Sequence, residues 1–542
     1  MKLRKLLVSG MLMSAMAIFA QTHTQGIEYY KADQFNNALE LLNRNLNNPG
    51  TDQALSYYYL GQIALRNNNN AEAKNYFDKG LAANAENPYN YVGLGFLALK
   101  SGDLKGAEKY FKEAEGKAKK DQSLQIEIAR AYYNVDPVGY KEKYEKIVAN
   151  ALKKDAKNPD IYIFEGDVLR SNAYQTGDSK TYGAAAAKYD MATSYDPTSA
   201  VAYVKYADMY KYANNPNFAI IKLEELLRNN PNSALGQREL ANAYYDTQQY
   251  DKAASEYGDY VKNPNHFKSD EDQYALILFG NNEFQKGYDY SSSLLKENPN
   301  NFTAQRFQFM NAAQIASMQD QLLPMADALY NAHKRNSANK FAPIDYTLIA
   351  DELNKGKRNE EAIAVLQEAI TDFPQNGNFN KQLAGIYIDL EDYGAAANAY
   401  NDFIKKLASP GYNEFAQQAL YAYFAGLKNN DADFFNMSKE YAGKAAEAYP
   451  THYKSYKILG DVAIATSTKE NAPKAALEDY TKAAELLGDT PDPRYNNDAK
   501  TIYNYLGYYY LENKDNAKAK EFFQKSLAID PNADLQKLVN SL

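Results

Sequence analysis

The sequence contains no cysteine and no tryptophan among its 542 residues, and only four histidines. The absence of cysteine excludes disulfides, thiol chemistry and cysteine-ligated metal sites. None of the histidines lies three or four residues from another, so a helical zinc motif is excluded as well; they are His23, His266, His333 and His452. We therefore expect neither a metal nor another cofactor.

Catalytic motifs are also missing. The sequence has no Gly-x-Ser-x-Gly elbow, and Gly116-Lys117, Gly356-Lys357 and Gly443-Lys444 are not followed by the Ser or Thr of a phosphate-binding loop. Acid pairs such as Glu224-Glu225 carry little information in a chain with 68 acidic residues, because solvated helix faces explain them. We expect no enzymatic activity.

The charge balance is acidic, with a formal net charge of −8. Residues 1–20 hold three cations and no acid, and without them 57 cations face 68 acids, a net charge of −11. Binding to phosphate backbones needs clustered lysine and arginine. The sequence has no basic block, so we expect no nucleic-acid partner.

The first twenty residues are typical of an export signal. Lys2, Arg4 and Lys5 precede an apolar run from residue 6 to 19, which is too short for a membrane span. Small residues follow the pattern of a cleavage site, and we predict cleavage before Gln21; the alternative is a buried N-terminal helix. No later apolar segment reaches spanning length. We expect a periplasmic protein that does not stay inserted in a membrane once residues 1–20 are removed.

An internal repeat dominates the rest of the chain. In its clearest copies a small residue precedes an alanine by 12 positions, as in Gly95 with Ala107, Ala350 with Ala362, and Gly507 with Ala519. Small and aromatic residues at steps of three and four occupy one face of a helix. Small residues allow two helices to approach closely, and aromatic residues fill the gaps between them. The spacing predicts stacked helix–turn–helix units.

This pattern resembles the tetratricopeptide repeat, a helix–turn–helix unit of 34 residues. One departure is that tyrosine often replaces the usual tryptophan, and its hydroxyl then needs a partner; this occurs at Tyr57, Tyr91, Tyr203, Tyr346 and Tyr503. The resemblance implies an all-α protein, a right-handed α-solenoid of about fourteen repeats. The predicted segments are a signal at 1–20, an N-terminal array at 21–301, a degenerate repeat or break in the array at 302–342, a C-terminal array at 343–531, and a capping helix at 532–542.

Two repeats are longer than the pattern. The spacing from Gly166 to Ala185 exceeds it by seven residues, and the spacing from Gly460 to Ala476 exceeds it by four. Insertions in solenoids normally lie in the turns between helices. We expect loops around Gly177 and between residues 466 and 472.

The resemblance further implies a binding role, in which the first helix of each repeat lines a concave face. Side chains off the packing stripe would contact a protein or peptide partner, or simply cover a solvated face; these are Tyr58, Gln62, Phe96, Asp208, Arg238, Asn242, Tyr245, Thr347, Asp351, Asn504 and Tyr508. The predicted function is a non-catalytic scaffold. One alternative is a periplasmic protein that binds glycans through these tyrosines; another, a helical-barrel glycosidase, would need a carboxylate pair at the mouth of a closed ring.

Overall fold

The computed structural model describes residues 22–118 and 120–542, and within them every regular element is a helix. Helices pair into thirteen contacting hairpins over these residues, which confirms the predicted α-solenoid of helix–turn–helix repeats. The chain divides into two compact units: the first ends at Tyr290 and the second begins at Ser291.

The first unit consists of hairpins in which an odd-numbered helix is followed by its even-numbered partner. Its helices are α1 (Thr22–Lys31), α2 (Phe35–Asn45), α3 (Gln53–Arg66), α4 (Asn70–Ala83), α5 (Tyr89–Lys100), α6 (Leu104–Ala118), α7 (Gln122–Val135), α8 (Lys141–Lys154), α9 (Pro159–Thr176), α10 (Ser179–Tyr195), α11 (Ala200–Tyr212), α12 (Pro216–Asn229), α13 (Ala234–Asp246), α14 (Tyr250–Tyr260) and α15 (Lys268–Gly280). The next helix, α16 (Phe284–Glu297), contains the division between the units.

The second unit continues the same architecture with two short 3-10 turns, at Ala316–Gln321 and Pro493–Tyr495. Its helices are α17 (Phe302–Ala312), α18 (Leu322–Arg335), α19 (Pro343–Lys355), α20 (Asn359–Asp372), α21 (Asn378–Asp389), α22 (Tyr393–Lys405), α23 (Tyr412–Asn429), α24 (Ala432–Ala448), α25 (Tyr453–Thr466), α26 (Ala472–Ala475), α27 (Leu477–Leu487), α28 (Asn496–Glu512), α29 (Asn516–Ile529) and α30 (Ala533–Ser541). Val539 of α30 packs against Ala519 and Phe523, so this helix covers the end of the last hairpin.

The contact between the two helices of a hairpin has the predicted form, a small residue against an aromatic ring. A Cβ built on Gly61 of α3 would lie 2.3 Å from Cε1 of Phe77 in α4. The same arrangement joins Gly507 of α28 to Phe523 of α29, where the distance would be 2.4 Å. Both rings are fully buried, so neither has free space into which to move.

We expect Gly61→Ala to destabilise the first unit by about 1–3 kcal/mol, because the added methyl group overpacks the contact with Phe77. The matched control is Gly116→Ala in α6, where an added Cβ would meet nothing within 4 Å. There the better helix propensity of alanine favours folding by up to about 1 kcal/mol. Urea unfolding followed by circular dichroism measures both; equal shifts for the two variants would contradict the packing account.

Tyrosine in place of tryptophan brings a hydroxyl group into the core. Three of the five tyrosines at these positions are fully buried, and the hydroxyl of each donates a hydrogen bond. Tyr203 donates to Glu225 at 2.9 Å and Tyr346 donates to Asp372 at 2.6 Å, each acceptor lying on the second helix of the same hairpin. Tyr503 donates to the carbonyl of Gly488 at 2.6 Å. The substitution therefore leaves none of these three hydroxyl groups buried without a partner.

The seven extra residues of the fifth hairpin do not form the loop that the sequence suggested. Instead α9 has 18 residues and α10 has 17, and only residues 177 and 178 separate them. Gly177 ends α9 with φ of +70°, a left-handed conformation that suits glycine. Seven residues are about two helical turns, so one added turn on each helix keeps the packing faces aligned. The four extra residues near 466–472 do lie between helices, because α25 ends at Thr466.

Candidate partner-binding faces

The concave side of the first unit is occupied by the chain itself. The N-terminal hairpin, α1 with α2 (residues 22–45), contacts α3, α11 and α13, which are first helices of later hairpins. The hairpin also contacts residues far away in the sequence: Arg44 donates a hydrogen bond of 3.1 Å to the carbonyl oxygen of His266, which lies 222 residues later. Several first-helix side chains of this unit therefore contact the N-terminal hairpin, among them Lys205, Arg238 and Glu239.

A buried lysine lies at the centre of this contact. Lys205 of α11 has a side chain only 1% exposed, and its Nζ lies 2.8 Å from Asp33 Oδ2 and 2.7 Å from Asp167 Oδ1. Asp33 is the turn residue of the N-terminal hairpin and also pairs with Arg170 of α9. Arg130 of α7 approaches Asp167 at 2.8 Å. The cluster thus joins the turn of the hairpin to three first helices.

The charges in this cluster determine the ionisation of its acids. Burial acts to raise the pKa of Asp33, but the Lys205 ammonium and the Arg170 guanidinium outweigh it and hold that pKa far below its usual range. Burial opposes ionisation of Asp167 as well, and Lys205 with Arg130 lowers its pKa. Both carboxylates are therefore charged at every physiological pH, and each is paired with cations.

Further polar pairs extend along the hairpin. Lys31 Nζ lies 2.9 Å from Asp160 at the start of α9. Gln34 donates to Glu239 of α13 at 2.7 Å and accepts from Arg238 at 3.3 Å. Together with the Asp33 cluster, these pairs connect the hairpin to successive repeats along the groove.

Aromatic rings fill the space between the polar pairs. Tyr29 packs edge-on against Phe267, with ring centroids 5.2 Å apart, and Tyr30 packs against Tyr59 at 5.0 Å. Tyr29 and Tyr30 are buried. The interface consequently combines apolar burial with charge pairing, in the manner of a protein–protein contact.

Two acids in this region have pKa values close to neutrality. Burial raises the pKa of Glu28 in α1 to about 7, assisted by Asp196, although Gln25 and Lys31 act against the shift. Burial raises the pKa of Asp208 in α11 to about 6, with Glu239 acting in the same direction. Unlike Asp33, neither is compensated fully by cations.

The side chains predicted for the concave face of the first unit lie at or near this filled groove. Tyr58 is fully buried and donates to Glu127 at 3.0 Å; Gln62 and Phe96 are also buried.

Arg238 makes a bidentate contact with Asp270, through distances of 2.6 and 3.1 Å. The remaining predicted residues are half-buried or bonded to neighbours: Asn242 accepts from Tyr257, Tyr245 packs on Tyr250, and Asp208 lies near Lys211.

The predicted residues of the second unit are more open. Tyr508 of α28 is 52% exposed, with one edge on Phe523. Asp351 of α19 is 51% exposed and pairs with Lys355 at 3.1 Å. Thr347 and Asn504 are half-buried, and Thr347 bonds to the carbonyl of Pro343 within its own helix. These faces expose side chains of mixed polarity.

The described residues contain no group of three or more side chains placed to hold a metal ion. Over the same residues, no helix combines the length and the apolar character that crossing a membrane requires. The predicted signal at residues 1–20 lies outside the part of the chain that the structure describes.

Comparison with known proteins identifies the repeat. Residues 58–122, 207–266 and 501–533 match sequence models of the tetratricopeptide repeat. No curated protein matches the chain. Among solved structures, the C-terminal part of a TPR repeat-containing protein from Cytophaga hutchinsonii is 18% identical with a TM-score of 0.40, over 49% of this chain and 98% of that one. YrrB, described as a TPR protein with an unusual peptide-binding site, is 18% identical with a TM-score of 0.28, over 40% and 100%.

Proposed function

The chain carries tetratricopeptide repeats, and we propose that this protein is a non-catalytic scaffold. It binds a protein or peptide along the concave faces of its repeats. One observation carries the proposal: the concave face of the first unit already holds a polypeptide hairpin through side-chain pairs such as Lys205 with Asp33 and Asp160 with Lys31. A face that positions charges and rings for one polypeptide has the chemistry to bind another.

The second unit supplies the open face for such a partner. Tyr508 and Asp351 project from first helices and are about half exposed. An exposed tyrosine offers a large ring at low entropic cost and a hydroxyl for hydrogen bonding, and tyrosine is enriched among residues that dominate binding energy. Binding would combine several such contacts along a preformed surface, as in other solenoids.

We expect Tyr508→Ala to weaken partner binding about tenfold or more, the effect of removing one dominant aromatic contact. The measurement is recovery of protein partners from envelope extract on the immobilised chain, quantified by mass spectrometry. Tyr212→Ala is the matched control, since Tyr212 is 55% exposed but lies at the end of α11 in the first unit.

The scaffold proposal fails if Tyr508→Ala and Tyr212→Ala recover the same proteins in the same amounts. It also fails if the wild-type chain captures no protein above the background of a bare matrix. Binding on a glycan array without any protein partner would favour the glycan alternative.

We further propose that the chain acts in the periplasm. Support comes from the sequence of residues 1–20, in which Lys2, Arg4 and Lys5 precede the apolar run and a small-residue cleavage pattern. N-terminal sequencing of the protein from fractionated bacteria tests this: a chain that starts at Gln21 in the periplasmic fraction is expected, and an intact start at Met1 in the cytoplasm would contradict it.

A further inference from the structure

We propose that the concave face of the first unit is a gated hairpin-binding site: the N-terminal hairpin is its internal ligand, and a partner segment of the same chemistry binds there only when that hairpin leaves. This goes beyond the proposed function, which concerns a partner on open faces. The proposal rests on how the hairpin is attached, how well it fits, and what borders it.

The attachment allows the hairpin to leave as one piece. It is joined to α3 by residues 46–52, which include the exposed Pro49 and Gly50. Gly50 has φ of +85°, the backbone conformation of a tight turn. The contacts of the hairpin with α3, α11 and α13 are non-covalent, so the hairpin can separate from them while each later hairpin keeps the packing between its own two helices.

The fit of the hairpin is imperfect in α1. The Oε2 atom of Glu28 and the Nδ1 atom of His23 are buried without hydrogen-bond partners. Burial without a partner opposes docking for each atom. Burial also disfavours the charged form of both residues: it raises the pKa of Glu28 to about 7 and lowers that of His23. The docked state is therefore held by its charge pairs against these costs.

The border of the hairpin is open. A cavity of about 420 Å³ lies between the hairpin and helices α3, α7 and α9. Its walls include Arg66, whose guanidinium stacks on Phe35 of the hairpin at 3.9 Å, and also Arg130 and Arg170. Arg130 and Arg170 are already paired with Asp167 and Asp33, so Arg66 is the cation of this wall that an acidic segment would contact first before the hairpin leaves.

The contacts of the hairpin define the ligand that the site accepts. The occupant is a helical hairpin with an acid at its turn, where Asp33 meets Lys205 and Arg170. Its Tyr29 packs against Phe267, and its Lys31 pairs with Asp160. A partner segment must reproduce the acidic turn above all, because without it Lys205 would remain buried with only Asp167 as its counter-ion.

The test uses the full-length chain and a fluorescent synthetic peptide of residues 22–46. Asp33→Lys in the chain places a cation against Lys205 and Arg170, which releases the chain's own hairpin and leaves the groove unchanged. We expect the peptide to bind this variant at least 100-fold more tightly than it binds the wild-type chain, measured by fluorescence anisotropy. A peptide that itself carries Asp33→Lys is the matched control and is expected not to bind.

Equal affinity of the peptide for the wild-type and Asp33→Lys chains would overturn the proposal, and so would equal binding of the native and substituted peptides. If circular dichroism shows that Asp33→Lys unfolds the chain, the titration is repeated with Asp33→Asn, which keeps the size of the side chain and removes only its charge. The absence of tighter binding to a folded Asp33→Asn chain then overturns the proposal. These outcomes do not depend on capture of a partner by the second unit, so the two proposals fail separately.

Discussion

Replacing Lys205 with methionine is expected to destabilise the first unit by about 3 kcal/mol, the lower end of the range for removing one partner of a buried ion pair. Methionine fills the same space but leaves Asp33 and Asp167 without the cation that lies within 2.8 Å of each. The loss is at the lower end because Arg170 and Arg130 remain beside the two carboxylates. Urea unfolding followed by circular dichroism measures it.

The control for this variant is Lys143→Met. Lys143 pairs with Glu108 at 2.6 Å, but its side chain is 40% exposed and that of Glu108 is 51% exposed. Exposed pairs contribute about 0–1 kcal/mol, so this variant should unfold almost as the wild type does. A Lys205→Met chain no less stable than Lys143→Met would show that the buried cluster does not hold the hairpin.

Glu28→Gln is expected to stabilise the first unit at pH 8 by on the order of 2 kcal/mol, and hardly at all at pH 5. The pKa of Glu28 is raised to about 7 in the folded chain from an ordinary value near 4.5. A carboxyl whose pKa is raised by folding stabilises the folded state below its unfolded pKa, and this contribution is lost as pH rises through the folded pKa. Glutamine is neutral throughout and removes the loss.

The contribution of Glu28 is lost mainly between its two pKa values, 4.5 and about 7, so the comparison runs from pH 5 to pH 8. Asp208, whose pKa is raised to about 6, titrates in the same direction over the lower part of this range. His23 has a lowered pKa, so it favours the folded chain at high pH and acts oppositely as pH falls below 6.5. Asp33 keeps its charge throughout, because its pKa lies far below this window. Urea midpoints measured from pH 5 to pH 8 should fall more steeply with rising pH in the wild type than in Glu28→Gln, because Asp208 and His23 titrate in both chains; parallel curves would contradict the assignment to Glu28.

The hairpins could be predicted from sequence because their contacts are local and periodic. Gly61 and Phe77 are 16 residues apart and belong to one helix pair, and the steps of three and four that place them on facing sides are visible in the chain. The length of α9 and α10 was not predictable in this way, since seven added residues fit either a loop or two helical turns.

The filled groove could not be predicted because its pairs are distant in sequence. Asp33 and Lys205 are 172 residues apart, and Gln34 and Glu239 are 205 apart. Helix periodicity reports which face of a helix is buried, but not which distant helix covers it. One signal was present in the sequence: Lys205 is the single charged residue in the otherwise apolar run from Ala200 to Ala207. A lysine in such a position needs an acidic partner.

Zero-length carbodiimide crosslinking of the intact chain tests most directly whether the N-terminal hairpin lies in the groove. Lys31 and Asp160 are 2.9 Å apart and about one-quarter exposed, so the reagent should join them in an amide bond. The exposed pair Lys143 and Glu108 is the positive control. Mass spectrometry should detect the Lys31–Asp160 crosslink within single chains. Its absence, in a sample where Lys143 and Glu108 are joined, would contradict the docked hairpin.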